Sequence, residues 1–437
     1  MRYFSTIPGP LFFFSFAPKK GRCNTTALFL LLLALNLAAA FKASAHTLRV
    51  GQTQAIKTIQ QALQLAQNGD TILVYPGVYK EGAFIIKKSL CLKGIRMPVL
   101  DGEKKYEIVN IQSSNVTVEG FKLVNSGMSD VYEMAGVKIG NAANVSVRNN
   151  RFENNFFGIY VQYSAKCSIT GNVVQSDPRP SYQLGNAIHC FKCDSLLIAS
   201  NKVTGHRDGI YFEFVTHSFI RQNTSEKNNR YGLHFMSSHY NSYIGNTFRN
   251  NGAGVAVMYT HGIRMVNNVF EMNTGEASYG LLLKEITDSE IRGNKFSKNT
   301  AAIYMESASR LQINNNKFED NGWAIRIEAS CSDDVITRNN FSGNTFDVAT
   351  NGTLVLNNFD HNYWDKYEGY DLNKDKLGDV PYRPVSLYSM IAEENPSAMM
   401  LFRSFMVALF DKTEKVLPGI IPENLKDNAP FMKPLPL

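Results

Sequence analysis

Apolar and polar positions recur through the middle of the chain in one short phrase, apolar-x-x-Asn-x-(Phe/Val). Successive copies lie 22, 29, 22, 23, 22, 26, 22, 23 and 18 residues apart. A period near 22 residues predicts a solenoid, in which each repeat buries its apolar side against the next repeat. The asparagines that mark the phrase are Asn150, Asn172, Asn201, Asn223, Asn246, Asn268, Asn294, Asn316, Asn339 and Asn357.

Each repeat contains two strand-like runs and no helical period. The first run leads into the asparagine, and the second follows after a turn, as in GIYVQ from Gly158 and GLHFM from Gly232. The pattern predicts an all-β chain, a right-handed parallel β-helix with one coil per repeat. Asparagine suits the left-handed conformation of tight turns and can bond to its copies in neighbouring coils, so these asparagines are interpreted as structural. A leucine-rich repeat is the alternative fold.

The two ends of the chain depart from the repeat. Residues 46–109 are predicted to form a cap and the first coils, with an amphipathic helix from Ile56 to Ala66. Residues 110–359 are predicted to be the repeat array, and the whole β-helix is predicted to have about ten to eleven coils. Residues 360–437 form a C-terminal extension, whose segment 386–415 has a helical pattern interrupted near Pro396. Removing the chain beyond Pro384 is expected to leave the coil folded.

Residues 1–45 are predicted to be a signal peptide. Arg2, Lys19, Lys20 and Arg22 precede an apolar run at 27–41, and Ala43-Ser44-Ala45 provides a small-x-small cleavage site. We therefore expect export to the periplasm. A membrane anchor is the alternative, although the run is short for a span of about 20 residues.

Net charge and cysteine content narrow the class of protein to which the chain can belong. The whole chain has a formal net charge of +7. Five of these charges come from the five basic residues of segment 1–45, so the rest of the chain has a net charge of +2. Such a balance gives no support to nucleic-acid binding. Five cysteines outside that segment are too few for a disulfide scaffold.

Side chains alternate along the second strand of each repeat, so the register follows from the sequence. The inward column is predicted to be Val161, Cys190, Phe212, Phe235, Val257, Leu283, Met305 and Ile327. One outward column is predicted to be Tyr160, His189, Tyr211, His234, Ala256, Leu282, Tyr304 and Arg326. The next outward column is predicted to be Gln162, Phe191, Glu213, Met236, Met258, Lys284, Glu306 and Glu328.

Cys190 and Cys193 have the C-x-x-C spacing of some metal and redox sites. Residues three apart on a strand point to opposite faces, unless the strand turns at Phe191. Cys190 is therefore interpreted as a small buried hydrophobe.

Six of the eight histidines lie between positions 189 and 261, close to outward methionines. Imidazole and thioether groups suit Cu(I). The alternative is a solvated histidine face with a methionine docking patch. The predicted copper ligands are His234, Met236, Met258 and His261, with His239 in reserve.

A second candidate metal site lies in the C-terminal extension. Asp371, Asn373, Asp375 and Asp379 place oxygen ligands at alternate positions, a calcium pattern. Lys376 stands where a loop glycine is expected, and a polar turn is the alternative.

A polysaccharide-binding or polysaccharide-degrading β-helix is the alternative function. Hydrolysis would need converging carboxylates. Asp208 is far from Asp333 and Asp334 in the repeat order, and Lys284 interrupts the column that holds Glu306. We therefore expect no enzyme activity.

The stretches RDGIYF at Arg207, RYGLHFMSSH at Arg230 and NGAGVAVMY at Asn251 resemble the NosD family of nitrous oxide reductase maturation proteins. The C-terminal stretches DVPYRPVSLYSMI and MMLFRSFMVALFDKTEKVLP resemble it too. The resemblance covers nearly the whole mature chain. It implies a non-enzymatic role in copper-site assembly, beside an ABC transporter of permease and ATPase, a copper chaperone lipoprotein and nitrous oxide reductase.

With that family in view, segment 386–415 is predicted to dock on the membrane permease, which would make the protein peripheral to the membrane. Its apolar runs are too short to span a bilayer, and exposed apolar patches commonly mark interfaces. A cap over the last coil is the alternative role. The predicted docking residues are Met390, Met399, Met400, Phe402, Phe405, Met406 and Phe410.

Overall fold

The computed structural model describes residues 45–129, 131–352, 356–402, 404–416 and 425–437. The predicted signal peptide therefore lies, except for Ala45, outside the described residues. The described chain winds through three parallel sheets in the fixed order sheet 1, sheet 2, sheet 3. This confirms the predicted parallel β-helix and its all-β class.

Within the described residues sheet 1 has 14 strands, numbered like all others in chain order. They are β1 (Thr47–Val50), β2 (Thr71–Val74), β5 (Cys91–Gly94), β8 (Thr117–Glu119), β11 (Ser146–Arg148), β14 (Ser168–Thr170), β17 (Leu197–Ala199), β20 (Phe219–Arg221), β23 (Ser242–Ile244), β26 (Arg264–Val266), β29 (Glu290–Arg292), β32 (Gln312–Asn314), β35 (Ser332–Thr337) and β38 (Leu356–Asp360).

Sheet 2 has 13 strands in the part of the chain that the structure describes. They are β3 (Val78–Tyr79), β6 (Val99–Asp101), β9 (Lys122–Val124), β12 (Arg151–Glu153), β15 (Val173–Gln175), β18 (Lys202–Thr204), β21 (Thr224–Glu226), β24 (Thr247–Arg249), β27 (Val269–Glu271), β30 (Lys295–Ser297), β33 (Lys317–Glu319), β36 (Asn340–Ser342) and β39 (Tyr363–Trp364).

Sheet 3 has 12 strands among the described residues. They are β4 (Phe84–Ile86), β7 (Val109–Ile111), β10 (Ala135–Gly140), β13 (Phe157–Gln162), β16 (Ile188–Phe191), β19 (Ile210–Glu213), β22 (Tyr231–Met236), β25 (Ala253–His261), β28 (Tyr279–Thr287), β31 (Ala301–Glu306), β34 (Trp323–Ile327) and β37 (Phe346–Thr350).

The coil count exceeds the prediction of ten to eleven, because coils begin well before the first marked asparagine. Sheet 1 already starts at β1, and the early coils use apolar residues where later ones use asparagine. Phe121, fully buried, donates its backbone N–H to the Asn150 side chain at 3.0 Å and so holds the equivalent position. The asparagine period alone therefore underestimates the solenoid.

Buried asparagines form a ladder at the corner between sheets 1 and 2. In each step the backbone N–H of one asparagine donates to the side-chain oxygen of the next, as from Asn246 to Asn268 at 2.9 Å. Asn357 is not part of this ladder, contrary to the prediction. Its oxygen accepts from the Asp334 backbone at the corner between sheets 3 and 1, and Asn362 takes the ladder position beside Asn339.

A second asparagine ladder, which the sequence analysis missed, lies at the corner between sheets 2 and 3. Asn251 donates to Asn273 at 3.0 Å, and the same bond repeats along the coils. The sequence pattern that could have revealed this ladder is a second asparagine in each repeat, five residues after the asparagine of the first ladder. Its members are Asn228, Asn251, Asn273, Asn299, Asn321 and Asn344.

The interior of the coil is filled by the predicted inward column and by stacked rings from sheet 2. Every residue of that column is 0–1% exposed. Phe296 stacks on Phe318 with 5.1 Å between ring centroids, and Phe341 stacks on Trp364 at 4.1 Å. Stacking of identical positions in adjacent coils makes the core continuous along the solenoid.

A short helix, α1 (Ile59–Leu65), lies at the N-terminal end and is shorter than the predicted range. The Thr58 hydroxyl caps it by accepting from Gln61, and the Glu81 carboxylate accepts from the first two helical N–H groups. Lys88 donates to carbonyls at the other end, so both ends are satisfied by the first coils.

The C-terminal extension contains α2 (Leu387–Glu394), a 3-10 turn (Pro396–Leu401) and α3 (Phe405–Val416). Beyond these, residues 425–437 return to the coil and carry Asp427, which bonds to the last ladder position. Truncation after Pro384 would remove these buried contacts of the last coil, and the expectation that the coil stays folded without them stays a prediction.

Candidate functional site

The predicted register of sheet 3 is confirmed around the candidate copper ligands. Met236 is the Cα partner of Met258 on the neighbouring strand, and His234 is the partner of Ala256. Met236 is the last residue of β22, Met258 lies three residues before the end of β25, and both side chains are partly exposed. The two thioethers therefore belong to adjacent coils, about 4.8 Å apart in backbone spacing.

His239 and His261 lie against each other one turn further along these two coils. Their ring centroids are 4.0 Å apart with an interplanar angle of 20°. The backbone N–H of His261 points to Nδ1 of His239 at a long 3.4 Å. Each histidine follows its methionine by three residues, so the motif Met-x-x-His is stacked on itself. We call Met236, His239, Met258 and His261 the His–Met cluster.

The protonation state of His239 favours metal binding. Burial, and then the charge of His261, lower its pKa. A lowered pKa keeps the imidazole neutral near pH 7, and the neutral ring is the form that binds metals. A metal ion bound at His239 Nδ1 would replace the long contact from the His261 backbone N–H.

Two further rings extend the cluster along the corner between sheets 3 and 1. Tyr240 stands edge-on to His261 at 4.8 Å between centroids and stacks with His217 at 5.6 Å. The His217 Nδ1 lies 2.9 Å from the Asp194 carboxylate. Three of the six clustered histidines, His217, His239 and His261, thus share one surface.

The other three of these histidines, His189, His206 and His234, point into packed surroundings. Burial lowers the pKa of His189 to about 3 and that of His206 to about 4. His234 is 2% exposed, with Nδ1 at 3.1 Å from Arg230 Nη2 and 3.4 Å from the Asp208 carboxylate. Its Nε2 has no hydrogen-bond partner. His234 is therefore held by Arg230 and Asp208 rather than by the histidine stack.

The donor set at the His–Met cluster is mixed. Across the part of the chain that the structure describes, no three His, Cys, Asp or Glu side chains are grouped as a metal site. A metal ion at this corner would therefore need the thioethers as well as the two imidazoles. That combination of soft donors without carboxylates fits Cu(I) better than Zn²⁺, Ca²⁺ or Mg²⁺.

The calcium pattern in the C-terminal extension is used by the loop itself. Asp371 accepts from the backbone of Asp375 and Lys376, and Asp379 accepts from the backbone of Leu372. The Asn373 amide donates to Asp375. These side-chain oxygens stabilise the turn, and the geometry gives no support to a calcium site.

Cys190 and Cys193 both point into the coil, contrary to the opposite faces predicted. Lys192 adopts a left-handed conformation with φ 49°, which turns the chain and buries Cys193. Burial raises the pKa of the Cys193 thiol to about 12 and that of Cys190 as well. Both stay protonated at neutral pH and pack as buried hydrophobes, as predicted for Cys190.

The predicted docking residues divide into two groups. Met390, Met399 and Phe410 pack against the solenoid or against Tyr388 and Phe346. The exposed group consists of Met400 (89%), Phe405 (80%), Phe402 (43%) and Met406 (43%). No helix within the described ranges is long and apolar enough to cross a membrane.

The buried and ion-paired carboxylates considered as catalytic groups do not point toward a common site. Asp208 and Asp334 are fully buried in different coils, and Glu306 pairs with Lys284 at 2.6 Å. These positions offer no pair of facing carboxylates for glycoside hydrolysis.

Known proteins resemble this chain over most of its length. Residues 64–182 and 174–374 match a family described as periplasmic copper-binding protein (NosD). A probable ABC transporter binding protein NosD of Stutzerimonas stutzeri is 27% identical over 404 residues, covering 88% of this chain and 92% of its own. The protein of the same name in Pseudomonas aeruginosa is 27% identical over 371 residues, covering 80% and 86%.

Solved structures share the fold at low identity. PfbA, a surface adhesin of Streptococcus pneumoniae, aligns with a TM-score of 0.54 at 12% identity over 67% of this chain and 87% of its own. The Dettilon tailspike protein aligns with a TM-score of 0.50 at 13% identity over 65% and 63%. At these identities the likeness concerns the solenoid architecture alone.

Proposed function

Because the chain belongs to the NosD family of periplasmic copper-binding proteins, we propose that it handles Cu(I) in the periplasm for the assembly of the copper sites of nitrous oxide reductase. The role is non-enzymatic. Copper is cargo that the protein receives and passes on.

The observation that carries this proposal is the His–Met cluster. Two stacked imidazoles and two in-register thioethers belong to adjacent coils, so they can approach one ion without a change in the fold. The rigid solenoid holds the four donors, and their partial exposure leaves the ion accessible for transfer. His234 carries a free Nε2 two residues before Met236 and is a reserve donor on the same strand.

The partners follow from the same family. The relatives are named as binding proteins of an ABC transporter, and we propose that this chain acts with such a transporter, made of a permease and an ATPase. Its exposed residues Met400 and Phe405 would contact the permease. A copper chaperone lipoprotein would deliver copper, and nitrous oxide reductase would receive it.

A maturation assay tests the proposal in the cell. A strain that makes nitrous oxide reductase but lacks its own copy of this chain would be complemented with wild type, with His239→Ala/His261→Ala, or with His46→Ala. His46 is an exposed histidine outside the cluster and serves as the matched control. We expect the double variant alone to lower the copper content of purified reductase at unchanged levels of the chain. Full copper loading by the double variant would contradict the proposal.

A further inference from the structure

Two neighbouring cavities on the outside of the solenoid share a lining residue, and together we call them the corner trough. One, of about 700 Å³, lies between Tyr163 and Phe214 at the corner of sheets 3 and 1. The other, of about 400 Å³, lies over Lys138 and Gln162 on the outer face of sheet 3. Both are lined by Asn141. This corner trough crosses five coils, about 19 Å at a strand spacing of ~4.8 Å.

Aromatic rings stand in this trough at a cost in backbone energy. Tyr163 has φ 49° and is 50% exposed, and Phe214 has φ 54° and is 48% exposed. The left-handed conformation costs a bulky residue on the order of 1–2 kcal/mol. Asn141 and Ser237 occupy equivalent turn positions in neighbouring coils. Stability alone would favour such small polar residues, so the exposed rings indicate a contact surface.

A lysine without a carboxylate partner lies between the rings. The Lys192 ammonium is 5.8 Å from the Tyr163 ring centroid and 6.0 Å from that of Phe214. Among the described residues no carboxylate oxygen lies within 4.0 Å of the Lys192 ammonium, so Lys192 forms no ion pair there. The nearby Asp194 carboxylate is occupied by Ser195, Thr216 and His217. The Lys192 charge is therefore held over aromatic rings, 5.2 Å from the centroid of Phe191 at the closest, and no carboxylate neutralises it.

The rest of the trough is lined by amides. Gln112, Asn141 and Gln162 have side chains that bond to no other described residue, so they can donate and accept outward. Lys138 adds a second cation, paired only at 3.6 Å with Glu133. Flat exposed rings, free amides and two cations are groups that bind sugar faces, hydroxyls and carboxylates respectively.

We propose that the corner trough binds an extended saccharide chain that carries carboxylates. Tyr163 and Phe214 would contact the apolar faces of sugar rings, the amides would bond to hydroxyls, and Lys138 and Lys192 would pair with carboxylates. An extended peptide fits less well, because the strands beneath the trough already use their backbone groups in the sheet. This inference goes beyond the proposed function and does not depend on copper.

Calorimetric titration of the copper-free protein with hexagalacturonate, and with maltohexaose as the uncharged chain of equal length, tests it. We expect saturable binding of the acidic hexamer and at least tenfold weaker binding of the neutral one. Tyr163→Ala/Phe214→Ala should weaken binding about tenfold, as for buried aromatic contacts. Tyr259→Ala is the matched control, since Tyr259 has φ 55° and 42% exposure at an equivalent turn outside the trough.

A variant that fills the corner trough tests the proposal without removing any of the side chains that line it. Gly140 leaves the trough open, and a Cβ there would meet only Gln162 at 3.6 Å, an ordinary contact. Gly140→Trp, compared with wild type by urea unfolding to show that it is folded, should therefore fill this part of the trough and abolish binding. Equal affinity of Gly140→Trp and wild type, no binding of either hexamer, or equal binding of both hexamers would overturn the proposal. Loss of copper binding would leave these results unchanged.

Discussion

The Asp427 carboxylate ends the main asparagine ladder by binding Asn362. The backbone N–H of Asn362 donates to Asp427 Oδ2 at 2.8 Å, and its side-chain amide donates to the same oxygen at 3.2 Å. Each asparagine of the ladder makes this pair of bonds to the next asparagine, as Asn339 does to Asn362. The C-terminal tail thus supplies a carboxylate where a further coil would supply an amide.

Asp427→Ala should destabilise the protein strongly. Asp427 is fully buried and also accepts from the backbone of His361 and from the Trp364 indole at 3.0 Å each. Removing it leaves several buried donors unpaired, at a cost of roughly 3 kcal/mol or more in the free energy of unfolding. Urea unfolding would measure the loss. Lys426→Ala, at the exposed neighbouring position, should change nothing. A wild-type midpoint for Asp427→Ala would show that the tail does not cap the coil.

Asp334 should make the stability depend on pH. Burial, opposed by the bond from the Leu311 backbone, raises the pKa of its carboxyl to about 7. A raised folded-state pKa means that its contribution is complete below the unfolded pKa of about 3.9 and is lost as the pH rises to about 7. The loss is roughly 1 kcal/mol per pH unit at most.

Asp334→Asn tests that dependence, since Asn357 holds the equivalent position in the next coil. Between pH 4 and pH 7 the unfolding free energy of wild type should fall relative to the variant, and above pH 7 the variant should be the more stable. Asp320→Asn, at an exposed turn of the coil, is the control. Parallel pH profiles for Asp334→Asn and wild type would contradict the buried protonated state.

The exposed part of the C-terminal extension should be needed for association with the permease. Met400→Ser/Phe405→Ser changes two side chains that are 89% and 80% exposed, so unfolding should be unaffected. Pull-down of the permease from detergent extract should fall several-fold, because exposed apolar residues dominate such contacts. Leu372→Ser, 76% exposed on the calcium-like loop, is the control. An unchanged yield of the complex would assign these residues no docking role.

Much of this architecture could be predicted from the sequence, because a solenoid repeats its local interactions at a fixed period. The register of Met236 and Met258 followed from strand alternation alone. Asp427 could not be identified, because it lies 65 residues from Asn362 and outside any repeat. The stack of His239 on His261 depends on how each coil turns the corner after its methionine, and strand alternation does not describe a corner.

Cu(I) affinity is the most direct test of the His–Met cluster. Competition with bicinchoninate under reducing conditions, with and without the copper chaperone, would compare wild type with Met236→Leu/Met258→Leu. These substitutions conserve volume and remove only the sulfur donors. Met97→Leu/Met128→Leu, at exposed methionines elsewhere, is the matched control. We expect the cluster variant to bind Cu(I) at least tenfold more weakly than both others, as expected for lost ligands. Equal affinity of all three proteins in both settings would contradict the assignment of copper to this corner.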